Sequence, residues 1–575
     1  MWPSQSLLSS DLYNKAGPST PPTPDARHQA ERGYLRAEAI GRAYGMTIED
    51  VATCSNKFWD MHKDPVLALD ASALTIMTIH YNLCMGTISS FLPQRPDLRP
   101  LLKSLSEFKT LGQFCLTEVG HGLDAYNLGT TATLLPNGNF ELNSPTAEDA
   151  KCMPPTSPVL GRPCVAVVFA QLVVGGERRG IRPFIVRMND GYYMSKGITA
   201  REFPTRHGAA PVPHCITSFN RVQLPPSALL GKLSVSVDPH SDFLSAIGRI
   251  GVGTLCLSST AVPYLQVAST VAYKYSLRRH VGSPAGKRVP ILSFQTQELP
   301  VYTAVAQSYV LDALSRYSVK HFQDPSLDPR ARHGVATCLK AAMMSHAQAS
   351  HYELSERCGA QGLFGHNQII QQLAELRGMC IAEGDTLVLS IRLANELILE
   401  RYALPAPRDP TSLLAKHEAA VFAEYKDLAR RVGHRSPEFS SLVLTRCRAM
   451  VEAISHRMAY EAALADRVPQ TLVDLYVSQC VKADLAWYVE AGLVTRDGAA
   501  RMEAAALEAA RPNMAQWVEG MGVGAYVCAP ITDDRLWAEF VQSLPVHRPR
   551  SDIIEQTGIV EDHHHDHHHR IQAHL

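Results

Sequence analysis

The feature that most limits the fold is a change of hydrophobic period in mid-chain. From about Arg32 to Leu105, apolar residues recur at helical spacing, as in RAEAIGRAYGM and ALDASALTIMTIHYNLCMGTISSFL. Near Leu111 the text turns to β-branched and aromatic runs between Gly and Pro breaks. TTATLLPNGNFELNS carries a hairpin signal at PNGN, and CVAVVFAQLVV, IRPFIVRM and CITSFNRVQLP follow. From Phe243 the helical period returns, interrupted by the linker ALPAPRDP at 403–410. A β block between helical blocks predicts an α+β, mostly α chain. Its expected units are a disordered arm rich in Ser, Pro and Thr (1–30), an N-terminal helical domain (31–110) and a mostly antiparallel β domain (111–232). A helical bundle (233–403), a second helical domain (411–548) and a flexible His-rich tail (549–575) complete it.

At 575 residues the chain exceeds a single core, so several units are expected. Lys+Arg and Asp+Glu balance at 55 each, which gives no global field for nucleic acid or an anionic membrane. The apolar run PCVAVVFAQLVVGG is too short to span a bilayer, and no secretory pattern opens the chain. The 13 cysteines are scattered without paired metal-like spacing and read as reduced thiols of an intracellular protein.

One short stretch asks for chemistry. In MCIAEGDTLVLSIRLANELIL (Met379–Leu399) a carboxylate, Glu383, stands before Gly384 at the mouth of a long apolar run. Locally this reads as a helix start, with Asp385 or Thr386 capping and Glu383 solvated outside. Three distant segments argue otherwise: FCLTEVGHGLDAYNLGTTATL, then YKYSLRRHVGSPAGKRVPILSFQTQ, then CGAQGLFGHNQIIQQLAELRGMCIAEGDTLVL. In this order they resemble the acyl-CoA oxidase branch of the acyl-CoA dehydrogenase superfamily. TEVGHG is similar to the oxidases' Thr-Glu-x-Gly-His-Gly, and PILSFQTQ to their Pro-x-Leu-x-Tyr/Phe-Gln-Thr-Gln. Gly359 precedes Glu383 by 24 residues, the family's usual distance to its Glu-Gly pair.

The resemblance implies FAD, a homodimer whose flavins touch both subunits, and α,β-dehydrogenation of an acyl-CoA or related thioester, with electrons passed to O2 to give hydrogen peroxide. Glu383 would be the base for the α-proton. The thioester carbonyl would be held by the flavin ribityl hydroxyl and the amide of the base, and Gly384 would permit that approach. Leu116 and Thr117 would meet the flavin, and Arg278 or Arg279 the pyrophosphate of the partner's FAD. Gln295, Gly359, Ala360 and Thr386 complete the implied cofactor set, with Gln297 at the cofactor or dimer seam. Gly122 and Leu123 would lie beside the substrate.

The sequence also departs from the family. Its Lys-Trp-Trp-Pro-Gly-Gly stretch is here KCMPPTSPVLG (Lys151–Gly161), with Cys152 and Met153 at the tryptophan positions. Thr156 or Ser157 would then supply flavin contacts. Such changes leave open a dehydrogenase, an oxidase of a carrier-bound or specialised intermediate, or a flavin-less partner subunit. The run HHHDHHH (563–569) could take a divalent metal but reads as a polar tail. The terminal Ala573-His574-Leu575 resembles a weak peroxisomal address.

Overall fold

The computed structural model describes residues 2–13, 25–206, 208–282 and 286–548. The expected His-rich tail, its terminal tripeptide and part of the expected N-terminal arm lie outside these residues. The described part of that arm is ordered, contrary to expectation: Pro3–Ser9 forms a 3-10 helix. Ser4 is buried there and bonds Asp64 and the Tyr526 hydroxyl. Arg32 and Arg36 of α1 (Ala26–Ala43) hold the same segment by donating to the Leu12 carbonyl.

The middle domain carries nine strands: β1 (Leu111–Cys115), β2 (Thr131–Leu134), β3 (Phe140–Asn143), β4 (Lys151–Cys152), β5 (Cys164–Val174), β6 (Glu177–Asn189), β7 (Ile198–Glu202), β8 (Cys215–Phe219) and β9 (Val222–Leu224). The PNGN signal is realised as the β2–β3 hairpin, in register from Leu134 opposite Phe140 to Thr131 opposite Asn143. β5 and β6 are joined through Gly175-Gly176, whose φ of 60° and 83° suits a two-residue hairpin turn. The expected antiparallel texture holds for these pairs and for the separate β4–β8–β7 sheet. However, β1 and β2 both run parallel to β5. β5 is almost wholly buried, which is why its sequence is a continuous apolar run rather than an alternating one.

Three long helices, α2 (Arg249–Arg278), α3 (Gln295–Gln323) and α4 (Pro329–Arg357), pack against one another as the second body. By length and composition α2 could cross a bilayer, but its apolar surface is buried among its neighbours, as in a core helix. α5 (Ile369–Ile381) and α6 (Thr386–Ile398) follow and bracket Glu383. The last body comprises α7 (Leu413–Val432), α8 (Cys447–Ala465), α9 (Gln470–Ala483), α10 (Arg496–Ala510) and α11 (Asp534–Ser543), with shorter turns between. The 403–410 linker is pinned to it. Buried Arg457 pairs with Glu418 and Glu461 and donates to the Pro405 carbonyl, while Glu461 accepts from the Arg408 amide at 2.7 Å.

Candidate active site

Helix α5 stops because Ala382 is extended and the next two residues turn left-handed, Glu383 at φ 57° and Gly384 at φ 93°. That conformation is unfavourable for a residue with a Cβ, so surrounding structure must hold it. Three successive carbonyls are clamped by the bundle. Lys340 Nζ donates to the carbonyls of Ala382 and Gly384, both at 2.5 Å, and Thr254 Oγ1 donates to that of Glu383 at 2.7 Å. Asp385 caps α6 by accepting the Leu387 and Val388 amides at 2.9 and 3.1 Å. The helix-start reading is therefore correct for Asp385, but Glu383 is not left in solvent.

The carboxylate of Glu383 packs on Gly253 of α2, where a Cβ would overlap its oxygens. Oε2 is enclosed and has no hydrogen-bond partner among the described residues. Burial pushes its pKa up to about 8, against the opposing fields of Lys340 and Arg249. Arg249 is fixed by Asn82, on a π-helical stretch (Thr78–Met85), whose backbone and side-chain oxygens both accept from Nε. The sequence reading missed Gly253, Thr254, Lys340, Asn82 and Arg249. Gly253 and Thr254 stand in a run of small residues in α2, GVGT, which reads as helix packing until the acid is placed upon it.

On the β side, Thr117 is exposed just beyond β1, next to buried Leu116. The Thr117 carbonyl accepts the Cys152 amide at 2.9 Å, so the TEVG segment and the stretch lacking tryptophans lie side by side. Glu118 below them is saturated by Lys151, Thr130 and the Gly129 amide. Met153 is exposed with φ 80°, and Leu123 is exposed with φ 63° beside exposed Gly122. Thr156 faces inward instead: its hydroxyl bonds that of Thr217 at 2.6 Å, which makes it a β-domain tie. Ser157 is buried with its hydroxyl unpartnered. A long loop joins the halves. His214 contacts the Met153 carbonyl at one end, and the Ala210 amide donates to Glu375 of α5 at 3.3 Å at the tip. A cavity of about 690 Å³ lies under that tip, lined by Arg36, Gln371, Ala374 and Arg377 among others, with Glu383 outside its lining.

The two arginines separate. Arg278 pairs with Asp534 at 2.5 Å and lies over the Trp537 ring, so α11 occupies it. Arg279 is exposed and makes no side-chain hydrogen bond or ion pair among the described residues. Gln295 is exposed at the start of α3, whereas Gln297 donates to Ser276 and to the Arg357 carbonyl, tying three helices. Gly359 turns at φ 59° with open space where a Cβ would be, and Ala360 beside it is exposed. Thr386 is buried and donates to the Cys380 carbonyl at 2.9 Å, closing the loop around Glu383.

The site is thus an enclosed carboxylate on a clamped turn within a helical–β–helical body. Comparisons with known proteins bear on it. Residues 253–398 match the family model described as acyl-CoA oxidase, C-alpha1 domain. Human peroxisomal acyl-coenzyme A oxidase 3 is 26% identical over 405 residues, covering 64% of this chain and 56% of the relative. The chain thus spans about half the length of the curated relatives it matches. Among solved structures, acyl-coA oxidase3 from Yarrowia lipolytica superposes with a TM-score of 0.81 at 17% identity, covering 97% of this chain and 92% of that one. Acyl-CoA oxidase-1 of Caenorhabditis elegans, complexed with FAD and ATP, gives 0.68 at 18% identity, over 90% and 92%. The fold is that of the acyl-CoA oxidases, and residues 253–398 are similar to their C-alpha1 domain.

Proposed function

We propose that the protein is an FAD-dependent acyl-CoA oxidase that introduces a 2,3-trans double bond into an acyl thioester and yields hydrogen peroxide. The observation that carries this reading is the enclosed, unpartnered carboxylate of Glu383 on its clamped turn. A C. elegans relative of the same fold holds FAD. The residues here fit that group: Gly359 leaves open ground, Arg279 offers an unpaired guanidinium, and Thr117 is exposed at the β-domain edge. FAD, when bound, accepts the β-hydride and returns the electrons to O2.

The chain's own part is to hold and move a proton. Glu383 takes the α-proton at its carboxylate, and the enclosure that raises its pKa strengthens it as a base. Lys340 and Thr254 fix the loop backbone, so the carboxylate is aimed before substrate arrives. Gly253 supplies the space for it. Where the family has two tryptophans, Cys152 and Met153 present less apolar surface, which favours a bulkier or differently shaped acyl group. We further propose a homodimer in which Arg279 reaches the partner's cofactor, and a peroxisomal location like that of the human relative. The visible spectrum of the purified protein tests the cofactor: a flavin band supports the proposal and a colourless protein refutes it. Peroxide release under air with a panel of acyl-CoAs tests the reaction; flavin reduction without peroxide would make it a dehydrogenase.

A further inference from the structure

Away from Glu383, three helices meet at a cluster the reaction does not use. His346 of α4, His456 of α8 and Cys480 of α9 each offer one ligand atom, and these atoms lie within 4.8 Å of one another. His456 and Cys480 are buried, and the two imidazole rings sit 5.1 Å apart between centroids. Nothing in the sequence spacing announces this set, because each member comes from a different helix.

Its surroundings suit a metal. His346 Nε2 lies 3.2 Å from the Tyr476 hydroxyl, and Nδ1 lies 3.1 Å from the Gln307 amide nitrogen. Gln307 Oε1 accepts from Ser350 at 2.6 Å. Rotating that amide by half a turn keeps both contacts: the oxygen then accepts from Nδ1–H and the nitrogen donates to Ser350. The rotation leaves Nε2 unprotonated, a tautomer that a metal-bound histidine can use.

We infer that His346, His456 and Cys480 form a binding site for a soft divalent cation, zinc first, with the Tyr476 hydroxyl beside it. Two imidazoles and a thiolate are a donor set that zinc prefers over the oxygen-loving cations. Binding releases the Cys480 thiol proton to solvent and forms one sulfur–metal bond, with no change of oxidation state. Because α4 belongs to the oxidase C-alpha1 region and α8 and α9 to the last helical body, the ion bolts the two together.

The test uses the full chain produced in zinc-supplemented medium and then dialysed against a chelator to strip metal from the histidines of the tail. Metal analysis should find one zinc retained per chain. X-ray absorption should show a sulfur scatterer at about 2.3 Å, which the cysteine-free tail cannot supply. Cys480→Ser should lose both the sulfur signal and the retained zinc. His456→Gln, a milder change should the serine variant misfold, should lose the retained zinc as well. A wild-type chain stripped of all zinc, or a sulfur signal that persists in Cys480→Ser, would overturn the site.

Discussion

Two carboxylates in this molecule, the buried Glu118 and the half-buried Glu383, have opposite fates. Glu118, in the β domain, accepts from Lys151 Nζ, the Thr130 amide and hydroxyl, and the Gly129 amide. Burial alone would raise its pKa, but Lys151 and these donors outweigh that and hold it below the ordinary range. Glu383, in the helical body, has an enclosed oxygen with no partner and a pKa pushed up by burial to about 8. A saturated buried acid is architecture, while an unsatisfied one stores free energy that only chemistry or a ligand can release. Both acids stand next to glycine-containing motifs, and it is the family resemblance that singles out Glu383 as the base.

The sharpest way to break the contrast is to remove the saturated acid. Glu118→Ala leaves the Lys151 ammonium buried and uncompensated, which should destabilise the protein by about 3–5 kcal/mol in denaturant titration. A change below 1 kcal/mol would show that the pair is not structural. Next, Gly253→Ala should keep the fold but displace the Glu383 carboxylate, lowering kcat about a hundredfold with little change in KM. Unchanged turnover would mean the acid does not work from that cradle. A smaller effect separates the arginines. Arg279→Ala should weaken flavin binding about ten- to a hundredfold, the loss of a charge-assisted contact, while Arg278→Ala should leave it within about twofold. The reverse order would restore Arg278 as the phosphate ligand.

The smallest effect is in pH dependence, and the two acids should act with opposite sign. Glu383 has a folded pKa above its unfolded value. Its contribution to stability is therefore complete below the ordinary carboxylate range and lost as pH rises through about 8. Wild type should accordingly lose stability relative to Glu383→Gln between about pH 4.5 and 8, from the ordinary carboxylate value up to the folded one. The rate should rise as pH passes through about 8, because the base must be ionised. Glu118 has a depressed folded pKa, so its contribution is present above the ordinary range and lost as pH falls through the folded value. Parallel pH curves for Glu383→Gln and wild type would remove Glu383 from this account.

The block order of helix, strand and helix was legible because hydrophobic period reports burial along a single element. The β2–β3 hairpin was legible because PNGN dictates its own turn. The parallel placement of β1 and β2 on β5 was not, since pairing direction depends on connections between elements rather than on any one strand. Glu383 was found through its resemblance to a family, not through local pattern, which favoured a solvated helix start. Its supports, Lys340 and Gly253, are separated from it by 43 and 130 positions and carry no local signature of their task. Thr156 shows the opposite error: a hydroxyl in a suggestive stretch is occupied by Thr217 across the sheet, a partner that only the fold reveals.

The account depends on Glu383 taking the α-proton, and rapid mixing without oxygen tests this most directly. Wild type and Glu383→Gln, each carrying bound flavin, are mixed with an acyl-CoA that the wild type turns over, and loss of the flavin colour is followed. Wild type should bleach within a turnover, while the variant should bind the thioester and stay yellow, slower by at least about a thousandfold. Bleaching of the variant at the wild-type rate would contradict the assignment.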